Sequence, residues 1–343
     1  MTNLRFHFQR LPDDLYSKVL KTMEHPEIIA YSFTSKKSFS FIQTLGLSLE
    51  DVHIKMEKLS AVYLNFGCYT VEINMRMGEN GREKTSLDDI PVSVDVSTEK
   101  IDWSLNRETM EWRIISESTV STWSNQEKSI GEWIQHLCSI FRCEDYESEF
   151  QIKEIRVDIQ SLRNIFPKLR RVYINGFTDD PSEHDIQSYQ IILRAFLPDV
   201  QNLRLYGVPL QENLSLEHIG MANLKELELY SPRNPKLENL QTLNVERCSF
   251  YTDQFSLRDL NRFFKLWMKG SNPKLKYLEV DGETIADWND LMKGLKAEET
   301  RRLQEEGEAD QKEYIIQNCY GSSARIMLFK TRFVARVQFT VLN

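Results

Sequence analysis

Leu169-Arg170-Arg171-Val172-Tyr173-Ile174 carries the phrase on which the fold turns: apolar, two others, apolar, one other, apolar. The same phrase begins at Ile152 (IKEIRV), Val200 (VQNLRL), Leu224 (LKELEL), Leu240 (LQTLNV) and Leu275 (LKYLEV). Its last two apolar positions are two apart, the period of a strand with one buried face. Helical spacing fills residues 183–197 and 256–269 between such phrases. Strands separated by helices predict parallel pairing through crossovers. The phrase also matches the strand half of a leucine-rich repeat. The starts lie 17, 31, 24, 16 and 35 residues apart, whereas a regular repeat keeps to about 20–29. The expected architecture over 151–343 is an irregular leucine-rich-repeat-like α/β array, with an ordinary α/β sheet as the alternative.

In that array the residues between the apolar positions face outward. Arg171, Tyr173, Arg204, Tyr206, Glu228, Tyr230, Tyr277 and Glu279 then form a candidate substrate-binding face. Tyr and Arg are the residue types enriched at interface hot spots. The competing reading is a solvated sheet face.

Outward from the array, residues 48–150 change period. Val62, Leu64 and Phe66 alternate, as do Val71, Ile73 and Met75, and Val92, Val94 and Val96. They predict antiparallel sheet, with a turn near Asn80-Gly81. Ile130, Trp133, Ile134, Leu137 and Phe141 return to helical spacing, and an acidic loop over Glu144 to Glu149 is expected to follow. Residues 283–313 hold ten acidic and five basic residues and read as solvated, helix-rich chain. Phe333, Ala335, Val337, Phe339 and Val341 read as a closing strand. At the other end, residues 1–47 read as three short helices. Leu11, Leu15, Val19, Leu20 and Met23 lie on one helical face, after which come Ile28, Ile29 and Phe33, then Phe39, Phe41 and Ile42. A unit that small buries little alone and needs a partner.

Composition narrows the function. The chain has 343 residues and a net charge of −8, which argues against a protein that coats nucleic acid. No apolar run approaches the roughly 20 residues of a membrane helix. No secretory signal is visible, and five scattered cysteines do not build a disulfide framework. An intracellular protein, cytoplasmic or nuclear, is expected. Phosphate-loop, dinucleotide and nucleophile-elbow motifs are absent. His136 and Cys138 are two apart on one helix and diverge, so they make poor metal ligands. Ser182, His184 and Asp185 read as a polar helix start rather than a triad. Neither cofactor nor metal is expected.

Leu11-Pro12-Asp13-Asp14-Leu15 through Leu20, followed by Ile28 to Lys37, resembles an F-box. Phe263-Phe-Lys-Leu-Trp-Met-Lys-Gly-Ser-Asn-Pro-Lys-Leu275 resembles the signature late in the F-box-associated type 2 domain of large nematode families. Residues 38–52 and Trp133 to Phe141 also resemble stretches of those proteins. The Trp common near the end of an F-box is replaced here by Phe39 and Phe41. The resemblance implies an F-box over 1–47 and an associated domain whose first part is 48–150 and whose repeat-like part is 151–343. It implies a non-catalytic substrate receptor of an SCF-type cullin ubiquitin ligase, docked on a Skp-family adaptor and capturing a protein substrate. Leu11, Pro12, Leu15, Val19, Leu20, Met23, Ile28, Ile29 and Phe33 are then the candidate adaptor contacts. Two alternatives remain: a leucine-rich-repeat-like interaction module with a degenerate F-box and no ligase role, and an enzyme with an unrecognised pocket.

Overall fold

A computed structural model describes residues 11–47, 49–67, 69–78, 84–106, 111–141, 146–156, 158–166, 169–176, 181–208, 216–232, 237–252, 254–282, 288–303, 310–330 and 335–342. They cluster in two compact units, Met1–Leu169 and Arg170–Asn343. The first unit opens with α1 (Asp13–Leu20), α2 (His25–Ser32) and α3 (Lys36–Leu45). Local chemistry sets each boundary. Pro12 precedes α1, and Asp13 and Asp14 lie at the positive end of its dipole. Glu24 and Glu27 form a reciprocal capping box on α2. Ser35 accepts a hydrogen bond from the Ser38 amide to start α3, and Gly46, at φ 61°, ends it in the left-handed region.

After the helices come β1 (Asp51–Met56), β2 (Ala61–Asn65), β3 (Tyr69–Arg76), β4 (Thr85–Ser86), β5 (Ser93–Asn106), β6 (Glu111–Trp123), α4 (Ile130–Ile140), β7 (Tyr146–Gln151), β8 (Ile155–Arg156) and α5 (Ile159–Ile165). Strands β7-β1-β2-β3-β5-β6 are neighbours in that order. β7 runs parallel to β1 and the other pairs are antiparallel. Period-two alternation has its expected effect: Val62, Leu64, Val71, Ile73, Met75, Val94 and Val96 are buried. Val92 is not; it is 62% exposed and precedes β5. The Asn80-Gly81 turn lies outside the described residues. The expected acidic loop is overturned over its second half, where β7 buries Tyr146, Ser148 and Phe150 and turns Glu147 and Glu149 outward. Charged residues at every second position masked the strand. The phrase at Ile152 is also not a strand of an array. It forms a 3-10 turn, Ile152–Glu154, and then β8, which pairs only with β4 among the described strands.

The second unit runs β9 (Leu169–Asn175), α6 (Glu183–Phe196), β10 (Asn202–Tyr206), α7 (Leu216–Met221), β11 (Glu226–Tyr230), α8 (Leu237–Gln241), β12 (Arg247–Tyr251), α9 (Leu257–Met268), β13 (Tyr277–Gly282), α10 (Trp288–Met292), β14 (Glu298–Leu303), β15 (Asp310–Gln317), β16 (Ser323–Lys330) and β17 (Ala335–Leu342). β9 to β13 pair in sequence order, all parallel. β17 closes antiparallel on β13, and β16, β15 and β14 follow as a meander. The result is an α+β chain in which helices precede a mixed, β-rich architecture. Ser182 and Asp185 form a capping box on α6, the polar helix start the sequence suggests.

Two expectations fail here. The phrase at Leu240 buries Leu240, Leu243 and Val245 in the end of α8 and the turn beyond it, and the strand is the next five residues, RCSFY. Apolar spacing reports burial, and buried residues of a helix end can mimic a strand. The described residues of 283–313 are not helix-rich. Among those described, only α10 is helical, and β14 and β15 pair instead. β15 matches β16 over its whole length, and that pairing outweighs the helix preference of Glu, Lys and Arg.

The stretch 263–275 has a physical logic. Phe264 and Trp267 of α9 pack on Phe339 of β17, with ring centroids 5.5 and 5.0 Å apart. Gly270 (φ 96°) and Asn272 (φ 54°) then turn the chain. Asn272 is buried, and its Nδ2 faces the carbonyls of Leu240, Gln241 and Leu243 at 3.1, 3.2 and 3.1 Å. This pins the turn after α9 to the end of α8. Asn272→Ala is expected to cost about 1–2 kcal/mol, the price of orphaned carbonyls and a strained backbone. Urea unfolding of Asn272→Gly, which keeps the φ preference, separates the two contributions.

Candidate protein-interaction surfaces

On α1, Tyr16 and Leu20 face inward. Tyr16 meets the Tyr31 hydroxyl at 2.7 Å and packs edge-on against Phe41 at 4.2 Å. The exposed stripe flanks this buried face, about 100° round the helix: Leu15 is 45% and Val19 41% exposed, Pro12 is exposed, and Leu11 and Met23 are half-buried. The other candidate contacts are turned into the unit. Leu20, Ile28 and Ile29 are buried, so in this arrangement they hold the helices together. Phe33 stacks on His136 of α4 at 3.9 Å and lies 4.5 Å from Trp133. Ser32 Oγ and His136 Nε2 are 2.7 Å apart, and Gln43 donates to the Ser139 carbonyl at 3.0 Å. The helical triplet is therefore seated on α4. Burial, with a smaller contribution from Lys128, lowers the His136 pKa to about 4, so the ring is neutral at pH 7.

In the second unit, strand register sorts the outward residues into three rows. The first is Arg171, Asn202, Glu226, Arg247 and Tyr277; the second is Tyr173, Arg204, Glu228, Ser249 and Glu279; the third is Asn175, Tyr206, Tyr230, Tyr251 and Asp281. All eight residues of the candidate substrate-binding face lie in these rows, but the tyrosines do not share one register. Tyr173 lies beside Arg204 and Tyr277 beside Arg247. The aligned tyrosines are Tyr206, Tyr230 and Tyr251, with successive centroids 5.5 and 4.1 Å apart and interplanar angles of 23° and 7°. Tyr251 was hidden because its strand follows the Leu240 phrase; the signal for it was the alternation Cys248, Phe250 against Ser249, Tyr251.

Most of the charge on this face is paired. The Arg204 guanidinium lies 2.8 and 2.9 Å from the two oxygens of Glu228 and 4.6 Å over the Tyr173 ring. Burial alone would lower the Arg204 pKa, but Glu228 outweighs it and holds the guanidinium charged. The Tyr230 hydroxyl donates to Glu228 at 3.0 Å, and burial together with these neighbours raises its pKa. Arg336 of β17 grips Asp281 with two 2.7 Å bonds. Glu279 is buried and accepts from the Tyr277 hydroxyl and, at 3.4 Å, from Gln338, so it is closed to a ligand as arranged. Burial and Glu279 raise the Tyr277 pKa to about 12. Among the described residues, no group of three or more His, Cys, Asp or Glu could hold a metal ion.

A model of the F-box domain matches residues 8–49, and a model described as F-box associated matches residues 215–280. The chain carries an F-box and an F-box associated segment of type 2. The F-box match spans α1 to α3 and includes the exposed stripe. The F-box associated match runs from α7 into β13 and takes in the Tyr230 and Tyr251 strands together with the whole 263–275 stretch. Trp133 to Phe141 lies outside both matches, yet it supplies the seat for the F-box helices. No curated protein and no solved structure matches the chain. Among the described residues, no helix is long and apolar enough to cross a membrane.

Proposed function

We propose that this F-box protein is a substrate-recognition subunit of an SCF-type cullin ubiquitin ligase, acting in the cytoplasm or nucleus. The F-box would dock on a Skp-family adaptor, and the three-row face of the second unit would capture a protein substrate. The carrying observation is the Leu15–Val19 stripe, solvent-exposed on an F-box helix that buries only Tyr16 and Leu20. Burying such a stripe against a partner yields about 25 cal/mol per Å² of apolar area. On this reading the contacts concentrate on Leu11, Pro12, Leu15, Val19 and Met23, while Leu20, Ile28, Ile29 and Phe33 support them from beneath. The chain itself transfers nothing. It raises the local concentration of a substrate lysine near the charged conjugating enzyme, a proximity effect that needs no reactive residue here. The sequential parallel strands of β9 to β13 support a repeat-like, leucine-rich-repeat-like binding scaffold.

The test is binding of the purified full chain to a Skp-family adaptor by titration calorimetry. Leu15→Ala is expected to weaken binding about tenfold or more, as truncation of a central anchor does. Tyr230→Ala is expected to leave adaptor binding unchanged. Failure of a folded parent to bind would favour an interaction module with no ligase role.

A further inference from the structure

At the end of the sheet where β9 to β13 begin, the charge changes character. The strand-entry positions, by register, are Arg170-Arg171, Gln201-Asn202, Lys225-Glu226, Glu246-Arg247 and Lys276-Tyr277. Five are basic and two acidic, on a chain whose net charge is −8. The two carboxylates are engaged: Lys276 Nζ lies 2.6 Å from Glu246, and Arg247 Nε 3.5 Å from Glu226. Lys276, Lys225 and Lys274 together lower the Glu246 pKa, which places all three lysines in one local field. Arg170 and Lys225 are exposed and form no ion pair among the described residues. Arg247 is held 4.3 Å over the Tyr277 ring with about half its side chain exposed, so its free N–H groups are pre-oriented.

We infer that this basic rim takes an acidic segment of the protein substrate, laid across the strand entries beside Tyr277, at the opposite end of the strands from the Tyr206, Tyr230 and Tyr251 row. The inference rests on the reading of this face as the substrate-capturing one. Strands are spaced about 4.8 Å apart, so five entries span about 19 Å, and an extended peptide rising about 3.3 Å per residue covers that with about six residues. Charge complementarity of this kind sets encounter rate and partner choice more than raw affinity. It also selects the partner class. Glu226 and Glu246 interrupt the basic positions, so the rim offers separated cationic points suited to the carboxylates of a short extended peptide rather than the continuous basic track that a phosphate backbone requires.

The experiment is fluorescence anisotropy of the full chain with a labelled oligoglutamate peptide of about eight residues, at low ionic strength. Oligolysine and single-stranded DNA of matched length are the comparison probes. Oligoglutamate is expected to bind, oligolysine not, and DNA more weakly than oligoglutamate. Arg170→Glu with Lys225→Glu, which breaks no ion pair, is expected to weaken the peptide about tenfold; Leu15→Asp is expected to leave it unchanged. A thermal melt checks the fold of each variant, and Arg170→Gln with Lys225→Gln gives a milder second version. No binding of oligoglutamate, wild-type affinity in both rim variants, or tighter DNA binding would each overturn the inference. Adaptor binding measured on the same samples reports separately on the ligase reading: lost adaptor binding with retained peptide binding would remove the ligase role and leave the acidic-segment site standing.

Discussion

Trp133→Ala is expected to cost about 3–5 kcal/mol, the usual range for deleting a buried aromatic ring. Trp133 has no solvent exposure. Its Nε1 donates to the Asn125 carbonyl at 3.0 Å, and its ring lies against Phe33 of the F-box. The substitution therefore opens a cavity in α4, orphans a carbonyl and removes part of the seat of α2. Because Phe33 also stacks on His136, the F-box helices should loosen before the sheet does. Guanidinium unfolding gives the total loss, and hydrogen exchange at the α2 amides against those of β3 gives its distribution. Equal loss of protection in both elements would mean that the F-box and sheet unfold as one body, and the seat would be no weak point. Phe39→Ala serves as the comparison, since Phe39 is only half-buried and lies 4.9 Å from His136.

That seat marks the limit of what the sequence discloses. The three F-box helices were legible because their signal is local: apolar residues at helical spacing over Leu11 to Met23, then Ile28, Ile29 and Phe33, then Phe39, Phe41 and Ile42. Which apolar residues remain open was not legible. Phe33 reads as an adaptor contact on the same grounds as Leu15, yet its partner His136 is over a hundred positions away, and no local pattern encodes that pairing. The tyrosine rows divide in the same way. Alternation puts Tyr206 and Tyr230 on the outer face, but only register says that Tyr251 completes their ladder and that Tyr277 stands in another row. In β14 and β15, β-pairing overrode local helix preference, a tertiary effect of the meander. The four phrases that became strands share apolar residues two apart. The Leu240 phrase keeps that spacing, but its apolar residues fall at the end of α8 and in the turn beyond it.

A buried-edge histidine supplies the second large effect, and its sign is fixed by pH. His53 of β1 lies between two carboxylates of β7, with Nδ1 2.9 Å from Glu147 and Nε2 3.4 Å from Glu149. Burial alone would lower its pKa from 6.5, but hydrogen bonds to Glu147 and Glu149, and their charges, outweigh burial and raise it to about 9. A folded-state pKa above the unfolded one means that the proton is bound more tightly in the native chain. The stabilisation is complete below pH 6.5 and disappears as pH rises through about 9. At 1.36 kcal/mol per unit, with partial exposure reducing the whole, it amounts to about 2–3 kcal/mol. The same contact, with its hydrogen bond to His53 as the main cause, lowers the Glu149 pKa, so acid removes the pair from the other side. His53→Gln retains hydrogen-bonding capacity without the charge. It is expected to be less stable than the parent by about 2–3 kcal/mol at pH 6 and nearly equal to it at pH 10. Urea unfolding of both proteins at the two pH values decides the matter, because the difference between them cancels every other titrating group. A deficit that is the same at both would mean that His53 contributes packing rather than charge, and the β1–β7 pair would then owe its stability to Ile54 and Phe150 beneath it.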